Sequence, residues 1–124
     1  MNVMQENQSA AKSAKEIVME YLQAAERRDF KSARNYVSDN ISYVSPLNSF
    51  DRAEAYLKYF EHLNLPKSEI KKAFADDHDV LLLTELNFGT LPTTFVCSWF
   101  HVDNGKINAI RVVFDPRPFV QPKE

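Results

Sequence analysis

The sequence predicts an α+β domain, and three observations carry that assignment. In the first half, apolar residues recur at steps of three and four, the spacing of a helix face. From Ile70 onward the period shortens to two. Near the end, Asn104-Gly105 separates two strand-like runs and supplies the two positive-φ residues of a type I′ hairpin turn. Helices followed by hairpin-linked strands predict helices laid over one face of an antiparallel sheet.

The first helix is expected from about Ser9 to Arg28, with Ala14, Ile17, Val18, Tyr21, Ala24 and Ala25 on its apolar face. Asp29 reads as the N-cap of a short second helix carrying Phe30, Ala33 and Val37. Ile41 to Ser45 reads as a short strand stopped by Pro46. Asp51 with Glu54 resembles a capping box opening a third helix, whose inner face is Ala53, Tyr56, Leu57, Phe60 and Leu63 and which Pro66 ends. Strands follow at Ile70 to Phe74, Val80 to Phe88, Thr93 to Val102 and Lys106 to Asp115, with a polar turn at Asp76-Asp77-His78-Asp79.

At 124 residues the chain is one domain, 1–124, with 1–8 expected as a flexible lead and 120–124 as a tail. Fifteen basic residues (15) against 17 acidic ones give a net charge of −2, with no basic footprint for nucleic acid or an anionic membrane. The lone Cys97 cannot form an internal disulfide, and no spacing assembles the ligands of a metal site. No apolar run approaches the ~20 residues that cross a bilayer, and the polar N-terminus lacks the apolar stretch of a signal peptide. A cytoplasmic protein without cofactor is the expectation.

A two-residue turn fixes strand register. Asp103 then faces Lys106, and unbroken pairing sets His101 opposite Asn108, Trp99 opposite Ile110, Cys97 opposite Val112 and Phe95 opposite Phe114. The other face takes Val102 with Ile107, Phe100 with Ala109, Ser98 with Arg111 and Val96 with Val113. Both faces are too apolar for a sheet with one solvated side. Helices cover one; a second copy of the chain is expected on the other, giving a homodimer through the outer sheet face, the alternative cover being the tail Phe119 to Pro122.

This layout, with AAERRDF after the first helix and DNGKINAIRVVFDPRPF at the end, resembles the NTF2-like superfamily over about residues 13 to 119. It is most similar to SnoaL-like polyketide cyclases, limonene-epoxide hydrolases and ketosteroid isomerases. The resemblance implies a cystatin-like cone, with three N-terminal helices packed on a curved antiparallel sheet around an apolar pocket. It also implies that the Trp99 side of the hairpin looks into that cone. The catalytic Asp that cyclases and epoxide hydrolases carry seven residues after the turn glycine falls on Val112. The Arg and Asp of the epoxide hydrolases fall on Leu86 and Phe88. Of the isomerase positions, the tyrosine is matched by Tyr21, the base position holds Ser45 and the acid position Cys97.

Proton abstraction needs a group of suitable pKa touching the substrate, and Val, Leu and Phe supply none. The expected function is therefore binding of a small hydrophobic molecule. The pocket would be lined by Tyr56, Phe60, Leu86, Phe88, Phe95, Cys97, Trp99, Asn108, Ile110, Val112 and Phe114. The alternative is a metal-independent isomerase, hydrolase or dehydratase, with Tyr21 as hydrogen-bond donor and His101 as general base. A third reading is a protein–protein interaction module. Each residue also has a plainer reading: Tyr21 as a core tyrosine, Cys97 as a small apolar side chain, the aromatics as core filling.

Overall fold

The structure, a computed structural model, describes residues 12–63 and 66–120. Helix α1 spans Ala14–Glu26. Its start is fixed by Ser13, whose Oγ accepts from the Glu16 N–H at 3.1 Å while Glu16 Oε1 accepts from the Ser13 N–H at 2.8 Å. This capping box satisfies two amide donors that a helix start otherwise leaves unpaired. The expected start at Ser9 lies outside the described residues, as do the lead 1–8 and tail residues 121–124. Ala14, Ile17, Val18, Tyr21 and Ala24 are buried along one side, as their spacing predicts.

Helix α2, Phe30–Arg34, is capped by Asp29, whose carboxylate accepts from the Ser32 N–H at 3.1 Å. Two strands come next, β1 at Val37–Val44 and β2 at Ser49–Phe50. Helix α3 is Ala53–Glu61. Its N-cap is Arg52 without a side-chain bond, so the expected Asp51–Glu54 box does not form. Strands β3 (Lys67–Ala75), β4 (Asp79–Asn87), β5 (Thr94–Asp103) and β6 (Lys106–Val113) complete a six-stranded sheet in the order β2-β1-β6-β5-β4-β3. A 3-10 turn at Arg117–Phe119 follows. As expected, strand comes between α2 and α3. One expectation is corrected here: the sheet is not wholly antiparallel, because β1 runs parallel to β6.

The hairpin forms as predicted: Asp103 faces Lys106, and Asn104 and Gly105 take φ of 54° and 76°. Beyond it the register departs from the expectation. Val102 pairs with Ile107, but His101 then pairs with Ala109 and Phe100 with Ile110. Asn108 is the extra residue of a β-bulge. One inserted residue reverses every later face assignment, because side chains alternate with period two. Phe100 and Ile110 therefore share a face, and Trp99 lies opposite Arg111 on the other.

Burial identifies the two faces. Val80, Leu82, Phe100, Val102, Ile107 and Ile110 form one core with Ile17, Val18 and Tyr21 of α1. Trp99, Phe95, Leu81 and Phe74 are exposed. Further irregularities break the β1–β6 and β3–β4 ladders. Bulges bend their strands, and the sheet curves around the helices, which occupy its concave side.

The bulge is testable by deletion. Removing Asn108 joins Ile107 directly to Ala109 and leaves His101 opposite Ala109 and Phe100 opposite Ile110, so Ile110 and Val112 stay inside and the loss should be within about 2 kcal/mol. In a ribbon paired without a bulge the same deletion would reverse the faces beyond it, at about 4 kcal/mol or more. Asn108→Ala keeps the residue count and removes a buried side-chain oxygen that has no hydrogen-bond partner among the described residues; it should be neutral or stabilising by up to about 1 kcal/mol. Urea unfolding of the two variants measures the difference. A loss of about 4 kcal/mol or more in the deletion would contradict the bulge.

Candidate functional site

Tyr21 projects from the buried side of α1 and Tyr56 from the buried side of α3. Their hydroxyl oxygens lie 2.5 Å apart, and both residues are almost wholly buried. Burial pushes both phenols well above the ordinary tyrosine range, because an apolar surrounding disfavours phenolate. Tyr43 on β1 is pushed up for the same reason. The pair is therefore neutral at any physiological pH and serves as a hydrogen-bond donor rather than a base.

Two phenols bring two protons and share one bond. One O–H therefore remains with no acceptor among the described residues. Aromatic rings pack against the pair: Tyr43 to Tyr56 at 4.9 Å between centroids, Tyr56 to Phe60 at 4.9 Å and Tyr43 to Phe60 at 5.6 Å. Phe50 and Tyr59 extend this cluster, which fills the space between α3 and the β1–β2 edge.

Elsewhere on the concave face, packing loosens along the strands. Val80, Leu82, Phe100 and Val102 are 0–5% exposed beneath α1. Thr84, Leu86, Ser98 and Val112 are only half-buried. Ser98 lies opposite both Leu82 and Val112, and its small side chain sits between the buried Val96 and Phe100. At this end of the sheet, Phe119 from the C-terminal turn packs on Phe88 at 5.1 Å and on Phe114 at 5.6 Å.

The expected pocket residues thus divide. Tyr56, Phe60, Leu86, Ile110 and Val112 lie on the concave side, and Phe88 and Phe114 sit at its end under Phe119. Phe95, Cys97 and Trp99 do not: the bulge at Asn108 turns them to the convex face, with Phe95 54% exposed. Asn108 is the bulge itself. His101 is also convex, so it and Tyr21 stand on opposite sides of the sheet and cannot reach one ligand atom. Sequence reasoning missed Ser98 and Thr84 as concave hydroxyls. The signal available was the three-residue step from Ile107 to Ile110, which breaks a period of two.

On the convex face, Asp79 Oδ1 accepts from His101 Nδ1 at 2.8 Å and from Trp99 Nε1 at 2.7 Å. The His101 bond, then the Trp99 bond, holds the Asp79 carboxyl below the usual carboxylate range. His78 stacks on His101 at 6.0 Å. Among the described residues no group of three His, Cys, Asp or Glu side chains could hold a metal ion, and no helix is long and apolar enough to cross a membrane. Asp115 pairs with Arg117 at 2.7 Å beyond the last strand.

The tyrosine pair has a titration signature. In the unfolded chain both phenols ionise near pH 10, while in the folded chain they stay protonated above it. Their contribution to stability is therefore complete below pH 10 and is lost as pH rises past it. Absorbance at the tyrosinate band should show two of the five tyrosines ionising only with unfolding. Five tyrosines titrating in the native protein would contradict the pair.

Comparison with known proteins places this geometry in a family. A SnoaL-like domain model matches residues 18–110. No curated protein matches the chain. An NTF2-like protein of unknown function from Cytophaga hutchinsonii is 25% identical, with a TM-score of 0.80 over 88% of this chain and 96% of that one. An LEH-like epoxide hydrolase from M. tuberculosis is 24% identical, with a TM-score of 0.69 over 82% of each chain. A putative ketosteroid isomerase from Kribbella flavida is 11% identical, with a TM-score of 0.76 over 90% and 82%. The last two are similar in fold. With helices on the concave side of a six-stranded sheet and the family model spanning most of its length, the chain belongs to the SnoaL-like, NTF2-like family.

Proposed function

We propose that the protein binds a small, largely apolar molecule bearing one hydrogen-bond-accepting oxygen on the concave side of the sheet. The observation that carries this reading is the buried Tyr21–Tyr56 pair with its one uncommitted O–H. A buried donor without an acceptor costs about 1–3 kcal/mol, and a ligand oxygen recovers that energy. The half-buried Thr84, Leu86, Ser98 and Val112 supply the remaining, mostly apolar, surface. Two similar structures bear the names of proteins acting on small molecules, an epoxide hydrolase and a putative ketosteroid isomerase. The reading is of binding rather than proton transfer, because Val112, Phe88 and Ser45 bring no carboxylate to the positions where those relatives' families carry one.

The test compares 2-acetylnaphthalene with 2-isopropylnaphthalene, which has the same shape without the oxygen. Calorimetry should show the ketone binding about tenfold more tightly, the worth of one buried hydrogen bond. Each single Tyr→Phe variant still leaves one buried O–H, so the double variant Tyr21→Phe/Tyr56→Phe should abolish that preference while leaving binding of the hydrocarbon in place. Equal affinity for both probes, or an unchanged preference in the double variant, would refute the reading. Native mass spectrometry of the purified protein complements it by reporting any co-purified molecule.

The convex face carries a second reading, a homodimer. Phe95, Val113 and Val44 are 41–66% exposed there, an apolar surface of the kind that marks an interface. Light scattering at micromolar concentration should give twice the 14.3 kDa chain mass. Phe95→Glu with Val113→Glu should return it to one. A monomer at all concentrations would remove this reading.

A further inference from the structure

One part of the convex face differs from the rest of its apolar surface. Phe74, Leu81, Trp99 and Arg111 form a row across β3, β4, β5 and β6. Phe74 and Trp99 stand two strand spacings apart, about 10 Å between backbones, with Leu81 between them as a floor. Together with Ala75, Asp76 and Asp79 they line a depression of about 240 Å³ beside β3, the edge strand. Asp79 closes one end of the slot.

The charges in this slot are one-sided. The Asp79 carboxylate is oriented by the Trp99 and His101 N–H groups, which both bond its Oδ1. Its Oδ2 has no partner among the described residues. Asp76 Oδ1 is taken by the backbone N–H groups of His78 and Asp79, at 3.1 and 2.9 Å. Among the described residues no lysine or arginine pairs with Asp76, Asp77 or Asp79. The neighbouring Arg111 is turned to the carbonyls of Ser42 and Ile110, at 2.8 and 3.0 Å. It does not stack on Trp99; among the described residues the cation over a ring is Arg28 on Phe30.

Two exposed aromatic rings flanking an oriented carboxylate make a surface complementary to one ligand chemistry. A cation with apolar substituents gains attraction from the ring faces and from the carboxylate, and it loses less hydration than a compact ammonium. We propose that the Phe74–Asp79–Trp99 slot binds a small organic monocation of the quaternary ammonium kind. This site is separate from the concave one: it is on the opposite face and shares no residue with it.

Trp99 is the sole tryptophan of the chain, so its fluorescence reports on the slot directly. Choline is the probe, and 3,3-dimethylbutan-1-ol, its uncharged isostere, is the control. Choline should change the emission saturably, and the alcohol should bind at least tenfold more weakly. Asp79→Asn keeps an oxygen acceptor for the Trp99 and His101 N–H groups but removes the charge; it should weaken choline at least tenfold with little change in melting temperature. Phe74→Leu should weaken it several-fold. Equal binding of the alcohol, full choline affinity in Asp79→Asn, or no saturation by 100 mM choline would each overturn the proposal. An emission change that follows protein concentration and not choline would identify the slot as part of a contact between copies, and would overturn it too.

Discussion

The structure depends on the register of one β-ribbon. The turn at Asn104-Gly105 starts the pairing of β5 and β6, and the extra residue Asn108 shifts it by one place after two pairs, Asp103 with Lys106 and Val102 with Ile107. Ile107 lies inside before the bulge, and Ile110 and Val112 lie inside after it. Without the bulge, a strand that buries Ile107 would bury Ala109 and Arg111 next. Burying an unpaired guanidinium is among the most expensive substitutions a core can suffer. The bulge therefore keeps a charged side chain on the convex face and two branched apolar ones on the concave face. It also bends the ribbon, which lets one sheet wrap around α1 and α3.

From that assignment the two faces acquire different chemistry. The concave side is closed under α1 and polar at few points. Its buried polar feature is a pair of phenols that burial holds neutral. Such a pair can orient a ligand oxygen but cannot take a proton from it, since phenolate is disfavoured exactly where a base would be needed. The convex side carries the ionisable groups, Asp79 with His78 and His101, in contact with water and with the exposed tryptophan. A carboxylate and an imidazole together suggest acid–base chemistry when read along the sequence. In three dimensions the sheet separates them from the tyrosine pair.

Much of the fold was legible in the sequence because it rests on local physics. The helix face through Ile17, Val18 and Tyr21 follows from spacing alone, the Asp29 cap from its carboxylate, and the hairpin from Asn-Gly. The order of elements and the superfamily resemblance followed from these. What stayed hidden is set by long-range pairing. Two strands of similar apolarity offered no reason to prefer the Phe100 side over the Trp99 side, and the larger side chains of the latter favoured the wrong face. The Tyr21–Tyr56 contact joins residues 35 positions apart and leaves no trace in periodicity. The Ser13–Glu16 capping box, by contrast, was present in the sequence as the usual Ser-x-x-Glu pattern.

The most direct measurement of this account is the cross-strand pairing itself, read from nuclear Overhauser contacts between β5 and β6 in solution. Facing residues of an antiparallel pair bring their backbones within about 4.5–5.5 Å between Cα atoms. The account predicts contacts that set Phe100 opposite Ile110 and Trp99 opposite Arg111. Contacts setting Trp99 opposite Ile110 and Cys97 opposite Val112 would contradict it, and the separation of the two faces would fall with them.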